Sequence, residues 1–448
     1  MHTLLLTQIV PYPPDSGPKI KTWHVIRYLA GHGHKVTLVS FARQDEEKYV
    51  NKLREVCSEV YTITMRRSRL ADIFYWLYSH ITGRPFLIER DNIPAMHSLV
   101  ERLLAEKEID IIHADQLTMG QFALGPSWLV SKQRALSRNG NHPKNIQLNH
   151  DILVTREPTL IFDAHNAVWT ILERMRQTAA WYLKPIIALE ASRVKRYEGE
   201  IIRKFDFTLT VTETDQRALY EAMNFAHKGK TSTVSSIKVI PITVDTEKLV
   251  PIHRKHGSRN ILTIGTLHYP PNADGIRWFL REVFPLVCQN IPEVTVTVVG
   301  KNPPQDLVRL AQQSSGSISF TGYVADLTYL LEQAALMVVP VRAGGGMRVR
   351  ILEGFARAMP MVTTTMGLEG IQAHPDEDIL VQDTPSEFAE SVIKLLRDEF
   401  IQSKLATNGR HLAEQFYDWK IALKELDAIY PVIEKQGSEL EAKVDESH

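Results

Sequence analysis

A chain of 448 residues is too long for one ordinary core and predicts two domains of roughly 200 residues each. Its 52 Lys plus Arg balance 52 Asp plus Glu, which excludes a bulk electrostatic attraction to nucleic acid and leaves any anion binding to local patches. Hydrophobic content of 44% suits packed globular domains, and the two cysteines, Cys57 and Cys288, fall in different halves and give no disulfide framework or metal knuckle.

The N-terminus, MHTLLLTQIVPYPP, has a short apolar run without a basic leader or small-residue cleavage site, so Thr3 to Val10 reads as a first strand. No window approaches the ~20 apolar residues that span a bilayer. The expected location is cytoplasmic, at most peripheral at the inner membrane face. The next loop, PYPPDSGPKIKT, joins strand to helix and holds Gly17, Lys19 and Lys21. It either covers phosphates or an acceptor, or is a proline-stiffened connection with solvated lysines. A helix from Lys19 to Gly31 ends in a turn with His32 and His34, and strands follow at Lys35 to Phe41 and Glu59 to Thr64, separated by a helix from Glu46 to Cys57.

Arg66, Arg67 and Arg69 precede the aromatic run LADIFYWLYSHI, so Arg66 to Ile81 reads either as a contact with a membrane surface or as a helix packed on its domain with a basic start. A helix from Ala95 to Glu106 leads to a strand at Ile109 to His113, where His113, Asp115 and Gln116 read as structural. The polar, basic stretch from 131 to 157 breaks the rhythm and is expected to be an inserted surface loop. After the strand Thr159 to Asp163 comes His165, flanked by Asp163 and Asn166. It is placed either to hydrogen-bond a sugar hydroxyl or the charge at a reaction centre, or to be a satisfied structural histidine. A long helix is expected from about Ala167 to Phe205, a strand at Phe207 to Val211, and a linker over Val239 to Arg259.

The second half repeats the alternation: strand ILTIGTL, helix Gly275 to Cys288, strand VTVTVVG, helix Asp306 to Gln313, strand SISFTG, helix Asp326 to Ala335. Such order predicts an α/β chain of parallel sheets with helices on both faces and binding loops at the carboxyl ends of the strands. The richest stretch is MVVPVRAGGGMRVRILEGFARAMPMVTTT, from Met337 to Thr365. An apolar strand runs into Gly344, Gly345 and Gly346, which allow close approach to main-chain N–H groups where a helix begins. Arg348 and Arg350 in its first turn oppose the helix dipole unless an anion is bound. Glu353, one turn on, is placed to accept from vicinal hydroxyls such as those of a ribose. The competing reading is a tight turn with solvated arginines. Asp376-Glu377-Asp378 has no matched partner and reads as a solvated turn, so no metal and no cofactor is expected. A short strand at Asp378 to Val381, helices Ile401 to Phe416 and Trp419 to Glu434, and a polar tail close the chain.

Together these residues resemble the retaining glycosyltransferases of GT-B fold, family 4 type (glycosyl transferases group 1), over about residues 3 to 430. PYPPDSGPKIKTWHVIRYLAGHGHKVTLVSF looks like that family's opening, VIPITVDTEKL like its interdomain signature, and FTGYVADLTYLLEQAALMVVPVRAGGGMRVRILEGFARAMPMVTT like its donor-site core. The resemblance implies two Rossmann-like doubly wound domains facing a cleft: 1–240 for the acceptor, 241–416 for a nucleotide-sugar donor, 417–434 crossing back around Trp419, and a flexible 435–448. It implies that Glu353 contacts the ribose, that the backbone of Gly322, Tyr323 and Val324 reads the base, and that His165 reaches the transferred sugar. The glycine loop with Met347 and Arg348 would hold the diphosphate.

The departures from the pattern are specific. The motif's first glutamate falls at Gly345, and its phosphate-binding Arg and Lys fall at Thr266 and Pro271. Arg348 and Arg350 are the expected replacements, with His268 and Asn272 as further polar contacts, and Ile242-Thr243 stand where Asn-Gly is usual. The implied activity moves a sugar to a hydroxyl of a glycan, lipid-linked or small-molecule acceptor, with retention and without metal. A nucleotide-sugar epimerase and a catalytically degenerate nucleotide-sugar-binding protein remain the alternatives.

Overall fold

The computed structural model describes residues 1–65, 67–125, 157–226 and 236–430. The insertion expected over 131–157, but for its last residue, and the tail expected over 435–448 lie outside the described residues, as does Arg66. Two parallel sheets organise the chain. The first takes β1 (His2–Thr7), β2 (Lys35–Ala42), β3 (Glu59–Thr64), β4 (Ile111–Asp115), β5 (Thr159–Asp163), β6 (Phe207–Thr210) and β7 (Ser236–Val239) in the order 3-2-1-4-5-6-7. The second takes β8 (Asn260–Ile264), β9 (Thr295–Val299), β10 (Ile318–Gly322), β11 (Ala334–Val339), β12 (Met361–Thr363) and β13 (Leu380–Val381) in the order 10-9-8-11-12-13.

Helices cover both faces of each sheet, so central strands are apolar on both sides: Leu4, Leu5 and Leu6 are all fully buried. Strand order reverses between β1 and β4, and again between β8 and β11. Each reversal opens a crevice beyond the carboxyl ends of the strands. One apolar cluster of the second sheet takes in Ile20, Val211 and Ile242 with Met347 and Ile351, so the two halves share packed surface.

Several sequence expectations change, among them the single helices expected over 275–288 and 419–434. The helix expected over 167–205 is two, Val168–Thr178 and Lys184–Lys204, and Pro185 sits in the first turn of the second, where its missing N–H costs least. The helix expected over 326–335 spans only Thr328–Glu332, because Ala334 and Ala335 already belong to β11, whose buried apolar run outweighs alanine's helix propensity. β7, a four-residue edge strand, stands just before the expected linker.

The chain then returns to the first domain. Beyond the short Trp419–Ala422 helix, Trp419, Leu423, Leu426 and Tyr430 pack with Leu5, Trp23 and Ile26. Arg27 lies 4.2 Å over the Trp419 ring, and Tyr28 donates to Asp427 at 2.8 Å. Nearby, His24 Nδ1 lies 2.8 Å from the Thr243 hydroxyl in the connection to the second domain. Burial, then Arg27, bring the His24 imidazole down to about 4. Its folded value is therefore depressed, so its contribution is intact above the unfolded value near 6.5 and lost as pH falls through the folded one. Over that window the linkage amounts to about 3 kcal/mol. A His24→Gln variant should lose less stability than the parent between pH 6.5 and 4, as chemical denaturation at each pH would show. Parallel curves would contradict it.

Candidate active site

The second domain builds its half of the site where β11 ends. Pro340 and Val341 lead into the glycine loop, and Gly344 and Gly346 take φ of +111° and +78°, values that side-chain-bearing residues resist. Close approach also explains Gly275: a Cβ there would lie 1.7 Å from the Pro340 carbonyl, so only glycine lets the Pro270–Trp278 helix sit against the loop. Arg348 forms the N-cap of the Val349–Ala356 helix. Its Nη1 donates to the carbonyls of Gly345 at 2.5 Å and Gly346 at 2.9 Å, bracing the bend from inside. Its Nε and Nη2 are buried with no hydrogen-bond partner among the described residues, and Nη2 lies 3.5 Å from where a Cβ of Gly344 would be.

Arg350 points the other way, donating to the Ile264 carbonyl, at the carboxyl end of β8, at 2.7 Å. Burial, then Arg348, bring this guanidinium down to about 10. It therefore delivers positive charge to the strand end where Thr266 and Pro271 lack it. Glu353 follows on the same helix, half-buried, with its carboxyl raised by burial against the pull of Arg350 and Arg357. Met347 differs from expectation: its side chain is 6% exposed and packs in the shared apolar cluster, with Sδ accepting from the Ile242 amide, so only its backbone faces the loop.

Gly322, at φ +74°, accepts from the Gly300 amide at 2.9 Å; Tyr323 is largely exposed with Lys301 4.2 Å over its ring, and Val324 is half-buried. His268 is exposed, and Asn272 donates to the Thr266 carbonyl at 3.3 Å beside the same loop.

In the first domain, His165 occupies the turn after β5 at φ +57°, a conformation a non-glycine residue holds only when its surroundings enforce it. The enforcement is visible. Its Nε2 lies 2.7 Å from Asp115 Oδ1 at the end of β4, and Thr22 donates to the same carboxylate at 3.1 Å. In the tautomer with its proton on Nε2, directed at that carboxylate, Nδ1 is left as the acceptor. Asp115, read from sequence as structural, thus sets the orientation of His165.

Lys21 departs from the expected role. It is fully buried and meets Asp163 at 2.5 Å, a structural cation out of reach of any ligand in the cleft. Burial works against the charge of Asp163, but Lys21, His165 and His113 outweigh it and hold the carboxyl far below the usual range. Lys19 is shared between Asp15 at 3.5 Å and Glu46 at 3.6 Å. Of that loop Gly17 and Ile20 reach the other domain: a Cβ on Gly17 would meet Val349 at 3.3 Å, and Ile20 packs in the cluster with Met347 and Ile351.

Among the described residues, His113, Asp115 and Asp163 bring ligand atoms within 4.8 Å of one another, close enough for one cation. Lys21 already supplies that charge, and His113 Nδ1 is taken by the Tyr430 hydroxyl.

The halves meet at the glycine loop. The Val168–Thr178 helix is capped by Glu198, which accepts from the Val168 amide at 2.7 Å and the Trp169 amide at 3.2 Å. Burial raises that carboxyl to about 8. The helix carries Arg174 across the cleft, where it donates to the Gly344 carbonyl at 2.9 Å and pairs with Glu369 at 2.6 and 3.0 Å. A Cβ on Gly345 would come within 3.0 Å of Arg174 Nη1, so this arginine stands where the family's first glutamate would project. Asn166, Thr212 and Asp215 from one side and Gly345, Gly346 and Glu369 from the other line a small cavity between the domains. Arg174 and Glu369 escaped the sequence reading because they are 195 residues apart and neither belongs to a motif.

Residues 258–398, containing the glycine loop, match the family described as glycosyl transferases group 1. That match covers under a third of the chain, within a fold of two Rossmann-like domains of the GT-B kind. A 44.6 kDa protein of the cps region of Klebsiella pneumoniae is 24% identical over 36% of the chain and 43% of its own length, so the match spans less than half of that relative. A phosphatidyl-myo-inositol mannosyltransferase of Mycobacterium tuberculosis is 20% identical over 54% of the chain and 70% of its own. In three dimensions the Anabaena protein Alr3699/HepE, solved with UDP, superposes with a TM-score of 0.63 at 14% identity, covering 97% of this chain and 100% of that one. The matched segment thus contains the triple glycine, Arg348 and Glu353, and the first domain completes the two-Rossmann architecture.

Proposed function

We propose that this protein is a retaining, metal-independent glycosyltransferase that moves a sugar from a nucleotide-sugar donor to an acceptor hydroxyl. The observation that carries the reading is Arg348: two guanidinium N–H groups buried without partners, beside a triple-glycine bend at a helix N-terminus, are a built receptor for an anionic oxygen. The UDP bound by the Anabaena neighbour is an anion of the same class.

The chemistry follows from charge. As the anomeric C–O bond to the diphosphate breaks, negative charge grows on the β-phosphate, where Arg348 and the loop amides stabilise it without reorganising. Arg350 adds field from the end of β8. The acceptor hydroxyl attacks from the face the diphosphate leaves, and its proton passes to the departing phosphate oxygen. The anomeric configuration is retained without a protein nucleophile. His165, held by Asp115, offers Nδ1 to a sugar hydroxyl, and Glu353 accepts from the ribose. The acceptor enters from the first domain. The exposed aromatic helix within 66–81 would bring the chain against lipid for a membrane-borne acceptor, at the inner face of the membrane.

Incubating the full chain with nucleotide sugars, with and without candidate acceptors, tests the reading. Acceptor-dependent release of nucleoside diphosphate supports transfer. Epimer formation without release, or tight binding without turnover, would replace it by the alternatives. Glu353→Ala should weaken binding of the nucleoside diphosphate about tenfold, the worth of one charge-assisted hydrogen bond, while sparing the free sugar phosphate. An equal loss for both would remove the ribose role.

A further inference from the structure

The helix Arg69–Thr82 is well made yet almost uncovered. Its N-terminus is capped by Ser68 accepting from the Ala71 amide, its C-terminus is closed by Gly83 at φ +70°, and Ser79 is its single buried residue. Leu70, Ile73, Phe74, Leu77 and Ile81 are 80, 57, 61, 55 and 83% exposed. A helix of this length draws its stability from burying an apolar face, and here the face is bare.

A second bare patch lies where the chain enters the Lys184–Lys204 helix: Trp181 and Tyr182 are 82 and 61% exposed, and Ile186 and Leu189 nearly half. The two patches lie on elements tied together: Arg196 donates to the Gly83 carbonyl at 3.0 Å and the Phe86 amide to Glu190 at 2.6 Å, fastening the end of the first helix to the second. Exposed apolar surface of this extent marks a docking face.

Charge and residue type choose the occupant. Between 66 and 84 the sequence sets four arginines against one acid, Asp72; Arg69 is exposed at the helix start, and Arg67, also exposed, lies 3.5 Å from Asp91. Trp76, Tyr78, Trp181 and Tyr182 are the amphipathic aromatics that settle at headgroup level. Basic ends beside an aromatic and aliphatic face complement anionic headgroups above acyl chains. The face also leads to the cleft. Ile171 lines the interdomain cavity, and Met175, one turn on and 52% exposed, points the way to Trp181.

We propose that the helix 69–82 and the segment 181–189 together form one platform that rests on an anionic bilayer and receives a lipid-anchored acceptor, whose polar head enters the cleft past Met175. The identity of the acceptor rests on the transfer reading; the platform does not.

Vesicle flotation of the full chain tests it. Phosphatidylcholine vesicles containing phosphatidylglycerol should carry the protein up, and pure phosphatidylcholine at least tenfold less. Phe74→Ser with Leu77→Ser, and separately Trp181→Ser, should each cut flotation at least tenfold with unchanged melting temperature, since these side chains touch little of the fold. Arg67→Glu with Arg69→Glu should abolish the preference for anionic lipid. Failure of the parent protein to float on either vesicle overturns the platform. So does a dimer in sedimentation equilibrium that the same serine variants dissociate. Nucleoside diphosphate release measured on the same variants keeps the two claims apart: flotation lost with release to a soluble acceptor preserved supports both, whereas flotation without release of any kind sinks only transfer.

Discussion

Arg348→Ala should lower affinity for the nucleoside diphosphate by at least tenfold and turnover by as much or more, with the fold intact. The expectation rests on two donors rather than on charge alone. Nε and Nη2 are buried without partners, and each charge-assisted hydrogen bond they make is worth roughly 1.5–3 kcal/mol. Burial also lowers this guanidinium from its ordinary value, a penalty that a bound phosphate would relieve. Because Nη1 also braces the carbonyls of Gly345 and Gly346, alanine alone mixes loop loosening with lost ligand contact. Arg348→Lys keeps the charge without the fork and should recover only part of the affinity. Calorimetric titration with nucleoside diphosphates measures both variants. Affinity and rate equal to those of the parent protein would refute the assignment of the phosphate to this loop.

Lys21→Met should be the most destabilising single change discussed here, costing about 3–5 kcal/mol, because it strands the Asp163 carboxylate in a fully buried site. For a two-domain chain this lowers the melting temperature of the first domain on the order of 10 °C. Adding Asp163→Asn removes the stranded charge and should return most of the loss. Were Lys21 instead a ligand of the cleft, Lys21→Met would leave the melting curve alone and raise KM. Differential scanning calorimetry with parallel kinetics separates the two.

The architecture was legible because strands buried on both faces must be continuous apolar runs, and LLL, VTLVSF, LIF and VTVTVV are unmistakable as such. The bend at the glycine loop was legible because three adjacent glycines between a strand and a helix favour a turn, two of them at positive φ. What escaped was set by neighbours remote in sequence. Lys21 looks identical to a loop lysine until Asp163 is found beside it, and Met347 sits inside a motif yet turns to the core. Asp115 looked structural because its partner, His165, is fifty residues away. Arg174 carries no local mark at all, since its role exists only where a helix of one domain crosses to the loop of the other.

That crossing has a kinetic consequence. One guanidinium from the first domain holds both the Gly344 carbonyl and Glu369, so the triple-glycine bend is finished by a residue the second domain does not own. Drawing the halves apart would withdraw this clasp and relax the bend in the same stroke. On the proposed reading, unloading the spent nucleotide and dismantling its cradle would then be a single event, with no separate gate needed to keep an idle, open protein from gripping its product.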